Sequence, residues 1–162
     1  MRKTLALVEE NATANHALEA AVASAEREGA ALVVLSVVSE SEFDSRYGAV
    51  TDLPGRFGYS ASQARAAAAA VAGRAAAAAV GDRNVPYVAV GGVGRPMDVL
   101  LRTAAVHGCD EIVVPDRPPR WFGLLGRFDR ALAWRFDGTV TRVTAPEGDG
   151  RPLPRGSAVD AG

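Results

Sequence analysis

Basic side chains are concentrated between residues 116 and 135, where the sequence reads DRPPRWFGLLGRFDRALAWR. Gly126 and Arg127 fall at the start of a predicted helix, where free backbone N–H groups and the helix dipole favour an anion. We therefore take Arg117, Arg120 and Arg127 as candidate anion-binding residues. A solvated basic loop packed over its own aromatic side chains explains the pattern equally well. Two aspartates stand in this segment against five arginines, which are Arg117, Arg120, Arg127, Arg130 and Arg135.

The other residue types that carry catalysis or bind metals form no recognisable arrangement. His16 and His107, the two histidines, fall on separate predicted helices without a cysteine or carboxylate at zinc-ligand spacing. Cys109 has no histidine placed to activate it and is expected to pack near the start of a strand. A Gly-x-Ser-x-Gly hydrolase motif is absent from the sequence. The sequence thus predicts no catalytic residue and no metal site.

Two segments are placed where nucleotide-binding loops often occur, and neither has the required glycines. Residues 91–96, GGVGRP, lack the third glycine of a dinucleotide fingerprint, because Met97 stands there, and are expected to form a turn before a helix started by Pro96. The segment EENATAN after the first strand has no glycine. Glu9 within it could bind a ribose hydroxyl or a cation, but a solvated surface charge is the usual role of such a residue.

Apolar runs, glycines and prolines divide the chain into alternating strands and helices. Short apolar runs predict strands over residues 4–8, 32–38, 85–90, 111–114 and 139–144. Helical patterns predict a first helix that ends at Gly29 and further helices over residues 61–80, 96–107 and 129–136. This alternation predicts an α/β fold, an open, mostly parallel, Rossmann-like five-stranded sheet with helices on both faces. The polar strand TVTRVT is expected at a sheet edge.

Length and composition limit the class of protein. A chain of 162 residues fits one domain, which we place at residues 1–145, before a Gly- and Pro-rich tail over residues 146–162 that is expected to be disordered. Residues 39–60 lack a sustained period and are expected to form a long mobile connection. A net charge of −1 predicts no nucleic-acid partner, and no apolar run is long enough for a membrane helix. The single cysteine suits a reducing cytoplasm.

Three segments, in their order and spacing, resemble the universal stress protein family over residues 3–143. KTLALVEENATANHALEAAVASA is similar to the family's first strand, loop and first helix. GAALVVLSVV is similar to its second strand, where a histidine often stands at the position of Ser36. VGRPMDVLLRTAAVHGCDEIVV is similar to its Gly-x-Pro helix start and fourth strand. The resemblance implies an adenine-nucleotide α-hydrolase-like architecture and homodimerisation through the fifth strand.

The ATP-binding members of that family carry Gly-x2-Gly-x9-Gly-Ser/Thr after the fourth strand, and this chain departs from the motif. The first two glycines fall on Pro115 and Pro118, the last pair falls on Gly126 and Arg127, and the spacer is two residues short. The family's strand-one aspartate becomes Glu9. Because proline fixes φ and has no N–H, each replacement removes both a backbone hydrogen-bond donor to the phosphates and the backbone flexibility that glycine gives the loop. The resemblance therefore implies a remodelled pocket that does not hold ATP in the usual way.

The resulting prediction is a non-enzymatic universal stress protein-like domain that acts by homodimerisation and by association with a protein partner. No cofactor is expected, although binding of ATP or another adenine nucleotide, and a weak ATPase activity, stay open. The candidate dimer edge comprises Thr139, Val140, Thr141, Arg142 and Val143.

An alternative prediction is a module that binds a nucleotide or another anionic small molecule at the carboxyl ends of the strands. In this alternative Arg127 could supply a charge-assisted hydrogen bond to a phosphate. A third class, an enzyme of the adenine-nucleotide α-hydrolase type, needs a Ser-Gly-Gly-rich pyrophosphate loop that EENATAN does not supply. The candidate nucleotide-site residues are Val8, Glu9, Val37, Pro115, Pro118, Gly126 and Arg127.

Overall fold

The computed structural model describes residues 1–8, 15–47, 56–115 and 128–143. Strands and helices alternate within these ranges, which confirms the predicted α/β class. The described strands are β1 (Lys3–Val8), β2 (Ala31–Val38), β3 (Tyr87–Val93), β4 (Glu111–Pro115) and β5 (Thr139–Val143). The described helices are α1 (His16–Glu28), α2 (Glu40–Tyr47), α3 (Arg56–Val80), α4 (Pro96–His107) and α5 (Phe128–Arg135).

The five strands form one parallel sheet in the order β3-β2-β1-β4-β5. The central strand is β1, in which Val8 pairs with Ser36 of β2 and Ala6 pairs with Val113 of β4. From β1 the chain first builds outward through β2 and β3, and then returns to the other side of β1 to add β4 and β5. The crossovers thus lead to one side of β1 in the first half of the chain and to the other side in the second half. The point of reversal in the sheet lies between the neighbouring strands β1 and β4. The predicted edge position of β5 is confirmed.

Helices cover both faces of the sheet, because the apolar strands of a parallel sheet have to be buried on both sides. On one face, Ala6 and Val34 pack against side chains of α1 and α3. On the other face, Leu5 and Leu35 pack against side chains that include Leu100 of α4 and Leu132 of α5. Successive strand residues thus alternate between two separate cores. No helix among the described residues is long and apolar enough to cross a membrane.

The ends of α1 and α4 follow the signals in the sequence. Gly29 ends α1 at φ 65° and Gly108 ends α4 at φ 64°, and the backbone N–H of each bonds to the last turn of its helix. These left-handed conformations favour glycine, which has no Cβ to clash with the carbonyl oxygen. Pro96 occupies the first position of α4, where its missing N–H costs nothing.

The region 39–60, expected to be a connection without regular structure, contains helix. The segment Glu40–Tyr47 forms α2, and α3 begins at Arg56 instead of at residue 61. The Ser39 hydroxyl caps α2 by accepting a hydrogen bond from the Glu42 N–H at 3.2 Å, and Phe43, only 4% exposed, packs against Val38. A helix of eight residues with one large buried side chain leaves almost no periodic signal in the sequence. Residues 48–55 and the expected disordered tail, 146–162, lie outside the described residues.

Strand β3 is displaced towards its C-terminus relative to the prediction. It was expected over residues 85–90, but it runs over Tyr87–Val93. Gly91 and Gly92 are therefore strand residues, paired with Ser36 and Val37 of β2, and not part of a turn. The turn before α4 is confined to residues 94 and 95.

A close approach between α3 and β3 explains why glycine occupies this strand. A Cβ on Gly91 would overlap the carbonyl oxygen of Arg65 and would lie 2.5 Å from the backbone nitrogen of Ala69, both in α3. The alanine-rich sequence of α3 allows this approach, since Ala68 and Ala72 are buried with small side chains. The backbone of α3 thus rests directly on the backbone of β3, and any side chain at position 91 would separate them.

We expect Gly91→Ala to lower the free energy of unfolding by about 2–4 kcal/mol, because α3 would have to move away from the sheet. Gly73→Ala is the matched control, since its new Cβ would make an ordinary contact with the Ala89 Cβ at 3.7 Å. Within a helix that substitution should stabilise the protein by about 1 kcal/mol. Urea unfolding followed by circular dichroism measures both values. Equal stabilities of the two variants would contradict the role assigned to Gly91.

Candidate functional site

The carboxyl ends of four parallel strands form one rim of the sheet. Strands β1, β2, β3 and β4 end there at Val8, Val38, Val93 and Pro115. The crossovers diverge between β1 and β4, and open α/β sheets bind their ligands at such a point, beyond the carboxyl ends of the strands. This rim is therefore the candidate ligand site.

Three of the candidate nucleotide-site residues lie within the described part of the chain, and all three are at the rim. Val8 is 2% exposed and packs on the face covered by α1 and α3, whereas Val37 is 7% exposed and packs on the face covered by α4 and α5. Their side chains diverge because Val8 pairs with Ser36, one residue before Val37. Pro115 is half-buried and pairs with Val143 at the end of β5. A ligand lying on one face can contact the side chain of only one of the two valines.

The remaining candidate residues lie outside the described ranges. Their grouping around an anion therefore stays a prediction. These residues are Glu9, Pro118, Gly126 and Arg127 of the candidate nucleotide site, and Arg117 and Arg120 of the candidate anion site.

Ser36 is a candidate that the sequence analysis did not select. Its side chain is 93% buried, since only 7% of the residue is exposed, and it lies between Val8 of β1 and Gly91 of β3 in the register. Its hydroxyl makes no hydrogen bond with another described residue, which is unusual for a buried polar group. The only signal for Ser36 in the sequence is one polar residue within the apolar run LVVLSVV. Ser36 is therefore a buried polar residue close to the rim.

The described titratable side chains form no metal site. Within residues 1–8, 15–47, 56–115 and 128–143, no group of three His, Cys, Asp or Glu side chains could hold a metal ion. His16 lies on the surface with its Nδ1 3.6 Å from an oxygen of Glu19. His107 is in the last turn of α4. The two histidines thus lie on different helices, at the start of α1 and at the end of α4.

Cys109 is partly buried beside the core formed with α4 and α5. Burial raises the pKa of its thiol to about 11, an effect that nearby Lys3 partly offsets. A thiol with so high a pKa carries very little thiolate at neutral pH, and the thiolate is the nucleophile. The expected packing role of Cys109 is consistent with this environment.

The candidate dimer edge is fixed to the sheet by a carboxylate that the sequence analysis also did not select. Glu111 of β4 accepts hydrogen bonds from the Thr141 hydroxyl of β5 at 2.6 Å and from the Thr4 hydroxyl of β1 at 3.3 Å. The Thr139 N–H donates to the carbonyl oxygen of Asp110 at 3.0 Å, at the start of the β4–β5 pairing. One side chain thus joins three neighbouring strands and holds β5 in its register.

Comparisons with known proteins agree with this architecture. A sequence profile of the universal stress protein family matches residues 1–144. Universal stress protein UspA from Lactobacillus plantarum is 22% identical, with a TM-score of 0.63 over 88% of this chain and 97% of that one. The hypothetical protein MJ0577 is 18% identical, with a TM-score of 0.62 over 90% of this chain and 96% of that one. A universal stress protein in complex with cAMP is 18% identical, with a TM-score of 0.55 over 90% of this chain and 98% of that one. No curated protein sequence matches.

The strand order and the rim define an open, doubly wound α/β protein of the kind that binds ligands at a reversal of its crossovers. The profile covers most of the chain, from the first strand to just beyond the last. The chain belongs to the universal stress protein family. The predicted family and fold are thus confirmed.

Cys109 should react slowly with a thiol reagent such as iodoacetamide in the folded protein at pH 8. Raising the pKa from 9.0 to about 11 lowers the thiolate population about a hundredfold, and the greater nucleophilicity of that thiolate offsets part of the loss. We expect labelling about tenfold slower than in the urea-unfolded chain, measured by mass spectrometry, with the difference narrowing as the pH rises from 9 towards 11. Equal rates in the folded and unfolded chains at pH 8 would contradict the raised pKa.

Proposed function

We propose that this universal stress protein domain acts by association, as a homodimer that binds a protein partner, and that it is not an enzyme. The observation that carries the proposal is the open edge of β5. Among the described strands β5 has one neighbour, β4. The opposite edge of β5 presents backbone N–H and C=O groups that another strand can pair with.

The direction of the backbone groups indicates where a second copy would pair. The Thr139 N–H points towards β4, since it donates to Asp110. Successive residues of a strand turn their backbone groups to opposite edges, so the N–H of Val140 points to the open edge. A second copy related by a two-fold axis would place its own β5 antiparallel against this edge. The bonds of Glu111 to Thr4 and Thr141 favour such pairing, because they fix β5 before a partner arrives.

The remodelled rim supports a function that does not depend on ATP. Strand β4 ends at Pro115, the position at which we predict the first glycine of the family's phosphate loop to fall. A proline there offers no N–H to a phosphate and holds the loop at a fixed φ. A second proline, Pro118, stands at the position of the next glycine. The loop therefore lacks two of the points at which the usual motif wraps around phosphates.

A nucleotide or another anionic small molecule is the alternative ligand of the rim. The specific observation in its favour is the fold shared with a universal stress protein in complex with cAMP. The buried hydroxyl of Ser36 near the rim is a second polar group that could meet a ligand. In this alternative Glu9 and one of the two rim valines, Val8 or Val37, would hold the nucleoside, and Gly126 and Arg127 would hold the phosphate.

Val140→Pro should convert the dimer to a monomer, because it removes an outward N–H of the pairing edge while leaving the inner hydrogen bonds of β5 in place. Val140→Ala is the matched control, since it removes the same side-chain packing but keeps the N–H. Size-exclusion chromatography with light scattering gives the masses, and circular dichroism checks that both variants fold. A monomeric parent protein, or a Val140→Pro variant that stays dimeric, would refute pairing through β5.

Nucleotide-stripped protein should give no heat with ATP, ADP or cAMP at millimolar concentration, because prolines replace the first two glycines of the phosphate loop. Isothermal titration calorimetry tests this in the parent chain, in Arg127→Ala, and in Arg74→Ala as a control on the exposed side of α3. Micromolar binding that Arg127→Ala abolishes and Arg74→Ala retains would overturn the proposal. It would establish Arg127 as the phosphate anchor of the alternative function.

A further inference from the structure

The pairing of β5 with β4 determines which backbone groups of β5 a second copy of the chain can reach. The Thr139 N–H donates to the Asp110 carbonyl oxygen at 3.0 Å, so the backbone groups of Thr139 point towards β4. Successive residues of a strand turn these groups to opposite edges, and Thr141, two residues on, therefore also faces β4. Val140 and Arg142 are the residues of β5 whose N–H and C=O groups point to the open edge.

The two faces of β5 carry different side chains. Val140 packs against the core beneath α4 and α5, and the exposed Arg142, two residues on, lies on the same face of the sheet. Thr141 lies on the opposite face, where its hydroxyl donates to Glu111 at 2.6 Å. A partner strand thus meets a valine and an arginine on one face of the sheet and threonines on the other.

These side chains discriminate between the possible registers of a symmetric pair. A two-fold axis places one residue of β5 directly opposite the same residue of the second copy. With Arg142 on the axis, two like charges would lie directly opposite each other, which is destabilising. With Val140 on the axis, Arg142 would lie opposite Gly138, which precedes the start of β5.

The register with Thr141 on the axis has neither disadvantage. Every residue of Thr139–Val143 then lies opposite another residue of the same strand. Val140 exchanges both of its backbone hydrogen bonds with Arg142 of the second copy, and the symmetric pair does the same. The two arginines become diagonal neighbours, each opposite a valine, and the two Thr141 side chains form a cross-strand threonine pair, which is a favourable contact.

We propose that the subunits pair with Thr141 on the two-fold axis, and that Arg142 sets this register by opposing the alternative that would bring the two arginines together. The inference rests on the proposed homodimer and specifies which residues of the second copy each position of β5 meets. Thr141 would face its counterpart in a non-hydrogen-bonded pair, with Cα atoms about 4.5 Å apart.

The test is disulfide formation between subunits of the full chain in a Cys109→Ala background, with diamide as the oxidant. A disulfide requires Cα atoms within about 7 Å of each other. Residues on the axis meet this condition, whereas diagonal neighbours are about 7–8 Å apart. We expect Thr141→Cys to form a covalent dimer at least about tenfold faster than Val140→Cys, measured on non-reducing gels. Arg74→Cys, on the exposed side of α3, gives the background rate from collisions.

A second pair of variants leaves the hydrogen bond between Thr141 and Glu111 intact. In the proposed register Thr139 lies opposite Val143 of the second copy. Thr139→Cys and Val143→Cys chains that are unfolded, mixed and refolded together should therefore form the mixed disulfide in preference to either symmetric one. Light scattering of the parent chain and of each reduced variant gives the oligomeric state before oxidation.

The outcomes separate this register from the homodimer on which it rests. A monomeric parent chain overturns both. A dimeric parent in which Val140→Cys cross-links as fast as Thr141→Cys, or in which the mixed disulfide is not preferred, overturns the register and leaves the homodimer in place. A dimeric parent in which no variant of β5 cross-links faster than Arg74→Cys overturns the register and pairing through β5 together.

Discussion

The main physical constraint on this molecule is that a parallel sheet with apolar side chains on both faces must be covered on both sides. The run Leu5 to Val8 alternates between two cores, one beneath α1 and α3 and the other beneath α4 and α5. Every connection between parallel strands must return to the same end of the sheet, so the helices that cover the sheet are also its crossovers. The rim at the carboxyl ends and the reversal between β1 and β4 are direct results of this requirement.

The fold could be predicted because its signals are local. The apolar runs fix the strands, Gly29 and Gly108 end two helices, and Pro96 begins one. The errors occurred where the deciding contact is distant in the sequence. The residues Gly91 and Gly92 predict a turn, but the backbone of α3 rests on Gly91 and the Val99 side chain of α4 lies against Gly92. Helix α2 depends on the burial of a single phenylalanine, Phe43.

The candidate site was less predictable, because its geometry depends on the register between strands. Val8 and Val37 were grouped by their positions at strand ends, yet a register that pairs Val8 with Ser36 sends the two valines to opposite faces. Hydrophobic pattern alone does not give that register for two strands that are apolar on both faces. Ser36 and Glu111 were not predicted for the same reason, since their roles depend on the register. Ser36 lies between Val8 and Gly91 of the neighbouring strands, and Glu111 bonds to Thr4 and Thr141. The loop arginines stay predictions for a different reason, since they lie outside the described residues.

The strand order also determines how the chain can fold as it is synthesised. In sequence order, β2 adds beside β1, β3 adds beside β2, β4 adds to the other side of β1, and β5 adds beside β4. Each new strand extends an existing edge, and none has to insert between two strands that are already paired. Folding can therefore proceed vectorially from the N-terminus, with domains of this kind able to assemble as they emerge. The strand that we propose as the dimer edge is the last to be added, so subunit pairing cannot precede completion of the sheet.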